Sequence, residues 1–363
     1  MLLNKQEYLL DMNSKTNQPK LRLPAEFEKH TATWMIWPYR IDTWHEGARP
    51  ARLAYADVAN AISAFEKVNM IIRPEYLKFA KTLLNDSIKF FNFPFDSEWT
   101  RDTGPLFVKD VNGKKYGIDF RFDSWGEIYS DYELDDKLAI EITKSLKLTL
   151  LQNELVLEGG EILVDGKGTS IVTEECFFNN KRKCIYTKEE LEKIFERYFG
   201  IIKTIWIKKG MYKDIVNGHI DNLCSFVKPQ LITLAWTDDK SDPQYEISKD
   251  AFDILSSSKD ANGRAFQIVK INQPDPLYIT EEENKIIGKS FFKKGDRLCA
   301  TYINFYIVNN GVIIPSFNDN KYDQLALDKL SALFKDRKTI QIPSREIILG
   351  GGGIHCITMQ EPV

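Results

Sequence analysis

Four short polar turns, each leading into an apolar and strand-like run, recur along this chain. They are WTRDTGPLFV (99–108), LEGGEILVDG (157–166), NGHIDNLCSFV (217–227) and LGGGGIHCIT (349–358). Glycine permits backbone conformations and close approaches that other residues forbid, and these turns also carry acid, histidine or cysteine side chains. We therefore expect four strand ends that converge on one pocket. The alternative is that the four turns belong to ordinary hairpins.

The segments between the turns alternate between helix-like and strand-like patterns. Apolar residues recur with helical spacing in 51–67, 75–84, 188–199 and 322–336. Short runs typical of strands cover 68–72, 204–207, 223–227, 231–236, 267–271 and 303–308. Helices and strands that interleave in this way indicate an α/β or mixed α+β class.

Composition excludes several classes of partner. The 363 residues are 43% apolar, and Lys+Arg (49) nearly balances Asp+Glu (52), for a net charge of −3. A nucleic-acid partner is not expected, because binding to it needs a basic footprint. A membrane partner is not expected either, since no apolar run approaches the roughly 18 residues that span a bilayer.

Domain organisation and location are also predicted from the sequence. Residues 1–22 are polar and are predicted to be a mobile lead-in, and 23–363 contains no linker-like stretch, which favours a single catalytic domain. The N-terminal segment lacks a secretory apolar core. The five cysteines are scattered and form no C-x-x-C pair, so we expect a cytoplasmic protein without a disulfide framework or a metal ribbon.

The turns contain candidate catalytic residues. His219 and Asp221 form an H-x-D pair, and on a strand such residues point to the same face. Histidine is the side chain best suited to proton transfer near neutral pH. Cys356 follows GGGGIH, and a cysteine with a distant histidine and acid is a candidate nucleophile. The alternatives are a structural histidine and an inert core cysteine, the latter being our interpretation of Cys224 and Cys299.

Acidic residues in three turns indicate the charge of the substrate. Asp102, Glu158 and Asp221 would converge with one histidine and one cysteine. Such a set suits a planar cation, because a guanidinium group donates up to five hydrogen bonds in a fixed fork. The residues therefore point to thiol attack on a guanidinium carbon held between carboxylates. Acids beside glycines are otherwise common surface capping groups.

Taken together, these motifs resemble the agmatine deiminases, within the guanidine-modifying superfamily that includes arginine and peptidylarginine deiminases. The resemblance covers nearly the whole chain from Leu23, including PAEFEKHTATWMIWPYRIDTW (24–44), TYINFYIVNNGVIIPSFND (301–319) and GGGGIHCITMQEP (350–362). It implies an α/β fold that is a five-bladed propeller (pentein), with pseudo-fivefold ββαβ modules around a central active site. It also implies hydrolysis of agmatine to N-carbamoylputrescine and ammonia in polyamine metabolism and putrescine biosynthesis, no metal or organic cofactor, and a homo-oligomer of two or more chains.

The resemblance also implies a role for each site residue. Cys356 would be the nucleophile, His219 the acid and base, Asp102 and Asp221 the clamp on the guanidinium, and Glu158 the acid that supports the histidine. Trp99 would pack near the guanidinium, where a cation–π contact is available.

Three positions depart from the family's pattern. Asp96, Ser97 and Glu98 precede the tryptophan in an unusual run, Glu161 follows L-E-G-G where a small residue or Asn is usual, and Gly353 replaces an Asn. We expect Gly353 to remove a side-chain amide close to the nucleophile. Since agmatine ends in an ammonium group, Glu161 is a candidate to bind that end of the substrate.

Three other functions stay open at this level. A deiminase of free arginine or peptidyl-arginine would need a cation for the substrate carboxylate, and Arg101 and Arg345 are the candidates. A non-enzymatic binding protein of the same fold is the second. The third is a metal hydrolase, for which zinc suits the ligand types. Its ligands would be His219, Asp221, His355 and Cys356.

Overall fold

The structure, a computed structural model, describes residues 19–284 and 292–363 apart from 180 and 183. In this part of the chain seventeen strands form five sheets. The strands are β1 (Leu21–Arg22), β2 (His30–Ile36), β3 (Lys67–Ile71), β4 (Lys89–Phe91), β5 (Leu106–Asp110), β6 (Lys115–Arg121), β7 (Thr149–Val156), β8 (Leu163–Val164), β9 (Thr169–Thr173), β10 (Lys203–Ile207), β11 (Cys224–Lys228), β12 (Leu231–Trp236), β13 (Gln267–Asn272), β14 (Tyr306–Val308), β15 (Gly311–Ser316), β16 (Lys338–Pro343) and β17 (Met359–Pro362).

Helices lie between and beside these strands. The α-helices are Arg49–Ser63, Leu77–Ala80, Thr100–Thr103, Asp135–Ser145, Glu174–Phe178, Lys188–Phe199, Pro243–Ser257, Glu281–Asn284, Tyr322–Leu333 and Arg345–Ile348. Short 3₁₀ helices are Glu46–Ala48, Pro74–Tyr76, Gly159–Glu161 and Ile220–Asn222. No helix among the described residues is long and apolar enough to cross a membrane. The prediction of an α/β class is confirmed.

All five sheets repeat one pairing pattern. An antiparallel pair is followed by a strand parallel to its second member, as in β5–β6–β7, β8–β9–β10, β11–β12–β13, β14–β15–β16 and β17–β2–β3. In each sheet at least one helix connects the two parallel strands, because a parallel connection needs a crossover of a dozen or more residues. β1 extends the first of these sheets beside β5, and β4 extends the last beside β3.

The helix Lys188–Phe199 shows how the local sequence sets an element. Thr187 accepts a hydrogen bond from the Glu190 backbone, and the Glu190 side chain accepts one from the Thr187 backbone, which forms a capping box. Gly200 ends the helix in a left-handed conformation with φ of 68°. Five residues with helical spacing form its buried face: Leu191, Ile194, Phe195, Tyr198 and Phe199.

Most of the predicted elements are present, with differences at turns. The predicted helix 75–84 is shorter, because a 3₁₀ turn at Pro74–Tyr76 precedes a single helical turn at Leu77–Ala80. The predicted strand 303–308 begins only at Tyr306. Leu21–Arg22, at the end of the predicted lead-in, pair with β5, whereas residues 1–18 lie outside the described residues. The prediction of a single catalytic domain stays a prediction.

The turns that precede the antiparallel pairs meet at one place. These turns are 100–105, 158–162, 217–223, 301–305 and 350–358, and one precedes each of the five sheets. Gly160 N–H donates to Asp102 Oδ1 at 3.1 Å, and Arg101 N–H donates to the Cys356 carbonyl at 3.1 Å. His355 N–H approaches the Asn304 carbonyl at 3.2 Å. The four turns singled out in the sequence therefore converge, together with a fifth that contains no glycine.

Candidate active site

A cavity that opens to solvent lies at the meeting point of these turns; the space in it, including the part open to solvent, is about 340 Å³. Its wall is largely apolar, and Asp102 is its one charged side chain among the described residues. The lining residues are Trp99, Asp102, Trp125, Ile128, Tyr129, Ile215, Val216, Gly350, Gly351, Gly352 and Cys356. Three of the predicted site residues, Cys356, Asp102 and Trp99, thus lie on the cavity wall.

Cys356 lies on the wall of the cavity and is 3% exposed. Its Sγ is 3.8 Å from Asp221 Oδ2 and 3.4 Å from Asn304 Nδ2. Burial raises the pKa of the Cys356 thiol well above its ordinary value, and the neighbouring Asp221 and Asp102 carboxylates raise it further. Without a cation in the cavity, the sulfur is therefore a thiol at neutral pH.

Asp102 is held by two donors from neighbouring turns. Its Oδ1 accepts the Gly160 N–H at 3.1 Å, and its Oδ2 accepts the Trp125 Nε1–H at 3.0 Å. Burial raises the pKa of Asp102 to about 6; His219 opposes this rise, while Glu158 and Asp221 add to it. Asp102 is therefore ionised above about pH 6, and two hydrogen bonds fix its orientation toward the cavity.

His219 lies behind the cavity wall and is fully buried. Its Nε2 is 3.0 Å from Glu158 Oε2, whereas its Nδ1 is 3.9 Å from Asp102 Oδ1 and has no hydrogen-bond partner in the described part of the chain. Burial lowers the pKa of His219, but Asp102 and Glu158 outweigh it and raise the pKa to about 10. His219 is therefore an imidazolium at neutral pH, with one N–H free to donate.

A glycine lets these groups approach each other. A Cβ atom on Gly160 would lie 3.1 Å from both Asp102 Oδ1 and His219 Cε1, and it would overlap His219 Nδ1. Any larger residue at this position would separate the histidine from the carboxylate. This is the close approach that the glycine in L-E-G-G was expected to permit.

Asp221 lies beside the sulfur and keeps one oxygen free. Its Oδ2 accepts the His355 Nδ1–H at 2.7 Å, and its Oδ1 has no partner among the described residues although the side chain is buried. The predicted proximity of His219 and Asp221 is present, but strand alternation is not its cause. Residues 220–222 form a 3₁₀ turn, and the strand begins only at Cys224.

Glu158 and Glu161 share an arginine that the sequence reading missed. Arg182 Nη2 donates to Glu158, and Arg182 Nη1 is 2.7 Å from Glu161 Oε1. Burial raises the pKa of both acids, but in Glu158 the arginine and His219 outweigh it and the pKa is lowered. In Glu161 burial dominates: Arg182 opposes it, Glu158 adds to it, and the pKa is about 8. One of the two buried acids is therefore ionised at neutral pH and the other is protonated.

Glu161 does not lie where a ligand of the substrate's far end would be. It is fully buried, its backbone N–H and side chain complete the 158–161 turn, and it is not on the cavity wall. This position disagrees with the prediction that Glu161 binds the ammonium end of the substrate. The side chain packs against Arg182 behind His219.

Trp125 is a second residue that the sequence reading missed. It lies in the turn Ser124–Glu127, whose four residues have φ of 56°, 54°, 84° and 62°. Left-handed backbone costs roughly 1–2 kcal/mol per non-glycine residue, so this turn is strained. Asn217 Nδ2 donates to the Trp125 carbonyl at 2.9 Å and holds it. The result is an indole that lines the cavity and donates to Asp102; Gly126 is the one local sequence signal for it.

The predicted partners for a substrate carboxylate lie elsewhere. Arg101 Nη1 donates to Gln360 Oε1 at 2.6 Å and Arg101 Nη2 to Glu26 at 3.2 Å, on the side of the turns away from the cavity. Arg345 pairs with Glu283 at 2.7 Å. Neither arginine lines the cavity.

The predicted metal ligands are not assembled as a metal site. Both ring nitrogens of His355 are taken, Nδ1 by Asp221 and Nε2 by Glu26 at 2.6 Å. Among the described residues, the group whose ligand atoms lie within 4.8 Å of one another is Glu161, Cys176 and His219. Arg182 lies against that group through Glu161, and a guanidinium beside a carboxylate disfavours a second cation.

Comparison with known proteins identifies close relatives. Residues 22–362 match the model of the Porphyromonas-type peptidyl-arginine deiminase family. The chain is 42% identical over 358 residues to the agmatine deiminase of Medicago truncatula, covering 94% of this chain and 96% of that one. It is 40% identical over 364 residues to the agmatine deiminase of Pseudomonas aeruginosa, covering 97% and 99%. The solved structure of the agmatine deiminase of Enterococcus faecalis superposes with a TM-score of 0.91 at 33% identity, covering 94% and 96%.

Proposed function

This chain belongs to the Porphyromonas-type peptidyl-arginine deiminase family, and from that premise we propose that it hydrolyses agmatine to N-carbamoylputrescine and ammonia. Relatives that are 40–42% identical over nearly the full length carry the name agmatine deiminase. The reaction replaces one guanidinium nitrogen by oxygen. It needs a nucleophile, a proton donor and a site that favours a planar cation.

The observation that carries the proposal is an unpaired acceptor beside the nucleophile. Cys356 and Asp102 lie on the cavity wall, and the buried Asp221 Oδ1 has no hydrogen-bond partner among the described residues. Buried polar atoms in proteins are nearly always paired, so this oxygen, together with the Asp102 carboxylate, is suited to a ligand that brings N–H groups. A guanidinium group presents five of them in one plane.

The character of the cavity favours agmatine over arginine. No Lys, Arg or His side chain is on its wall among the described residues, and a carboxylate in the substrate would remain unpaired there at a cost of several kcal/mol. Ile128, Ile215 and Val216 instead provide apolar surface for the four-carbon chain of agmatine. Trp99 packs on Trp44 with ring centroids 5.7 Å apart, which supports its role as a rigid wall beside the guanidinium.

The first half-reaction begins when the cation binds. A guanidinium placed between Asp102 and Asp221 adds a positive charge beside the sulfur, and this charge favours the thiolate of Cys356. The thiol proton leaves to solvent and the sulfur attacks the guanidinium carbon. His219 donates its proton to the departing nitrogen, so ammonia leaves and a thiouronium remains on Cys356. Glu158 stabilises the imidazolium before this transfer.

The second half-reaction reverses the role of His219. The neutral imidazole accepts one proton from a water molecule, and the resulting hydroxide attacks the thiouronium carbon. The carbon–sulfur bond then breaks, the sulfur leaves as a thiolate and takes up the second proton, and the neutral ureido product departs from the regenerated thiol. Two moderate barriers replace one high barrier, which is the general benefit of covalent catalysis. Every step uses a side chain of this protein and water.

We further propose that the five sheets are the blades of a propeller around this cavity. The support is their shared antiparallel-then-parallel pairing and the fact that each sheet contributes one turn to the site. A homo-oligomer of two or more chains and a cytoplasmic location follow from the family resemblance and from five free cysteines. Light scattering of the purified protein tests the first of these two expectations.

The test of function is product release from three substrates offered side by side. Ammonia and ureido product are measured with agmatine, free arginine and a peptidyl-arginine, using wild-type protein and Cys356→Ala. We expect turnover of agmatine, at least about 100-fold weaker turnover of arginine because its carboxylate is unpaired, and no turnover by the variant. Preference for arginine would overturn the substrate. Equal activity of Cys356→Ala would overturn the mechanism.

A further inference from the structure

Asn304 occupies, in the fifth turn, the place that catalytic side chains occupy in the other four. Asp102, Glu158, Asp221 and Cys356 each lie a few residues before the first strand of an antiparallel pair. Asn304 lies two residues before β14, the first strand of the remaining pair. Its side chain is 1% exposed and directed at the same centre. The repeated pairing therefore assigns Asn304 to the site by position alone.

Backbone groups fix the orientation of the Asn304 amide. The His355 N–H donates to Asn304 Oδ1 at 2.9 Å, so the atom facing this donor is the oxygen. The opposite atom lies 2.9 Å from Asn222 Oδ1 and 3.4 Å from the Asp221 carbonyl, which is an acceptor only. That atom is therefore the nitrogen. It lies 3.4 Å from Cys356 Sγ and can donate to the thiolate, while Asn304 Oδ1 lies 3.6 Å from the same sulfur and can accept the proton of the thiol.

Gly353 leaves the room that Asn304 uses. A Cβ atom on Gly353 would overlap Asn304 Oδ1 and lie 2.8 Å from its Cγ. The asparagine could move away from such a Cβ only by losing its hydrogen bonds with the His355 backbone and Asn222 Oδ1. The sequence led us to expect that Gly353 removes an amide near the nucleophile. In the structure, the Asn304 amide fills that volume.

The surroundings of the sulfur show what this amide supplies. The charged groups that approach Cys356 are the carboxylates of Asp221 and Asp102, and both disfavour a thiolate. Asn304 Nδ2 is the side-chain N–H donor within reach of the sulfur among the described residues. A neutral donor is compatible with the cationic substrate beside it, whereas a lysine or arginine here would repel a guanidinium.

We propose that Asn304 is a positioning residue for Cys356. Its N–H group donates to the thiolate and its oxygen ties the amide to the nucleophile's own turn, in the space that Gly353 leaves open. The inference deepens the proposed function and rests on it only in taking Cys356 as the nucleophile. Asn304 orients the attacking sulfur and does not bind the substrate.

The test measures the reactivity of the sulfur without any substrate. Iodoacetamide is added between pH 6 and 10, and alkylation of the Cys356 peptide is followed by mass spectrometry, which separates it from the other four cysteines. Asn304→Asp keeps the size of the side chain but replaces the N–H donor beside the sulfur with a carboxylate oxygen. We expect alkylation of Cys356 to fall about 10-fold at pH 8 and its pH profile to move up by about one unit. Asn112→Asp, on an exposed turn, is the matched control and keeps the wild-type profile.

Two further measurements keep the proposal falsifiable. Asn304→Asp and Gly353→Ala, which forces the amide away, are both expected to lower kcat about 10- to 100-fold with KM changed less than about 3-fold. Circular dichroism and thermal unfolding establish that each variant is folded; if Asn304→Asp does not fold, Gly353→Ala carries the test. Wild-type alkylation profiles in the folded variants would overturn the proposal. Because alkylation needs no agmatine, a protein without agmatine turnover would overturn only the proposed function.

Discussion

His219 and His355 are both buried and both contact carboxylates, yet the hydrogen bonds of the two rings differ. His219 is bound at Nε2 by Glu158, while its Nδ1 has no hydrogen-bond partner among the described residues. His355 is bound at both nitrogens, by Asp221 at 2.7 Å and by Glu26 at 2.6 Å. One ring therefore has an unused N–H, and the other has none.

The difference extends to the groups around each ring. Beyond His355 the charges alternate without a gap, from Asp221 through the ring to Glu26 and then to Arg101. Around His219 the neighbouring Asp221 Oδ1 is unpaired. A continuous chain of ion pairs fixes the positions of its side chains. A buried polar group without a partner destabilises the fold, and a ligand that pairs with it removes this cost. We infer that His219 transfers protons in the reaction. The chain of Asp221, His355, Glu26 and Arg101, which we call the His355 network, fixes the geometry of the site.

The largest expected effect tests this contrast directly. His219→Gln removes the proton donor and should lower kcat about 10³-fold, within the usual range for a general acid and base. His355→Gln keeps a hydrogen bond to one of its acids and should lower kcat only about 10-fold, through looser orientation of Asp221. Steady-state kinetics with agmatine measure both. Equal losses would break the distinction between the two histidines.

The His355 network should contribute more to the free energy of unfolding than to the reaction rate. Burial raises the pKa of Glu26, but His355 and Arg101 outweigh it and lower the pKa to about 2. A carboxyl with a lowered pKa adds stability that is complete above its unfolded value of 4.5 and is lost as the pH falls toward 2. At about 1.4 kcal/mol per pKa unit, Glu26→Gln should cost about 3 kcal/mol in denaturant unfolding at pH 7. The cost should shrink steadily below pH 4.5; a constant cost would show that the charge is not the cause.

The fall of activity at acidic pH should come from the titration of a carboxyl group close to His219. The pKa of Asp102 is raised to about 6, so kcat/KM should fall about tenfold per pH unit below pH 6, as the clamp becomes protonated. The substrate cation does not titrate there. Burial also raises the pKa of Asp214 to about 6, and Asp214 Oδ2 accepts the backbone N–H of His219 at 2.9 Å. Asp214→Asn should keep this fall of kcat/KM below pH 6. If the fall is absent in the variant, the group that titrates is Asp214 and not Asp102.

The sequence predicted the elements and the chemistry that repeat locally. The strands β12 and β10 and the helix Lys188–Phe199 agree with their patterns within a residue, because alternation, helical spacing and capping are local properties. Four of the five converging turns were visible because each combines glycine with a reactive side chain. The turn of Asn304 has no glycine and no acid, histidine or cysteine, so it does not show the pattern that marks the other four.

Residues that depend on distant packing were not predictable in the same way. Arg182 reaches Glu158 and Glu161 from a segment more than twenty positions away. Nothing in the sequence around it distinguishes it from an arginine on the surface. Trp125 needs a run of left-handed residues of which only Gly126 favours that conformation. The sequence makes Glu161 a candidate for the substrate because the ammonium end of agmatine asks for an acid. Its side chain turns back toward Arg182, which no pattern indicates.

The smallest expected effect separates the two acids that share this arginine. The pKa of Glu161 is raised to about 8 by burial, against Arg182, so its protonated form dominates at pH 7, whereas the pKa of Glu158 is lowered. Glutamine imitates a protonated carboxyl but not an ionised one. Glu161→Gln should therefore change kcat and KM less than about 3-fold at pH 7, while the matched Glu158→Gln removes the charge beside His219 and should cost at least about 100-fold in kcat. A large rise in KM for Glu161→Gln alone would restore the original assignment of Glu161 to the ammonium end of the substrate. A large fall in kcat for both variants would mean that the two acids share one proton and act on His219 as a unit.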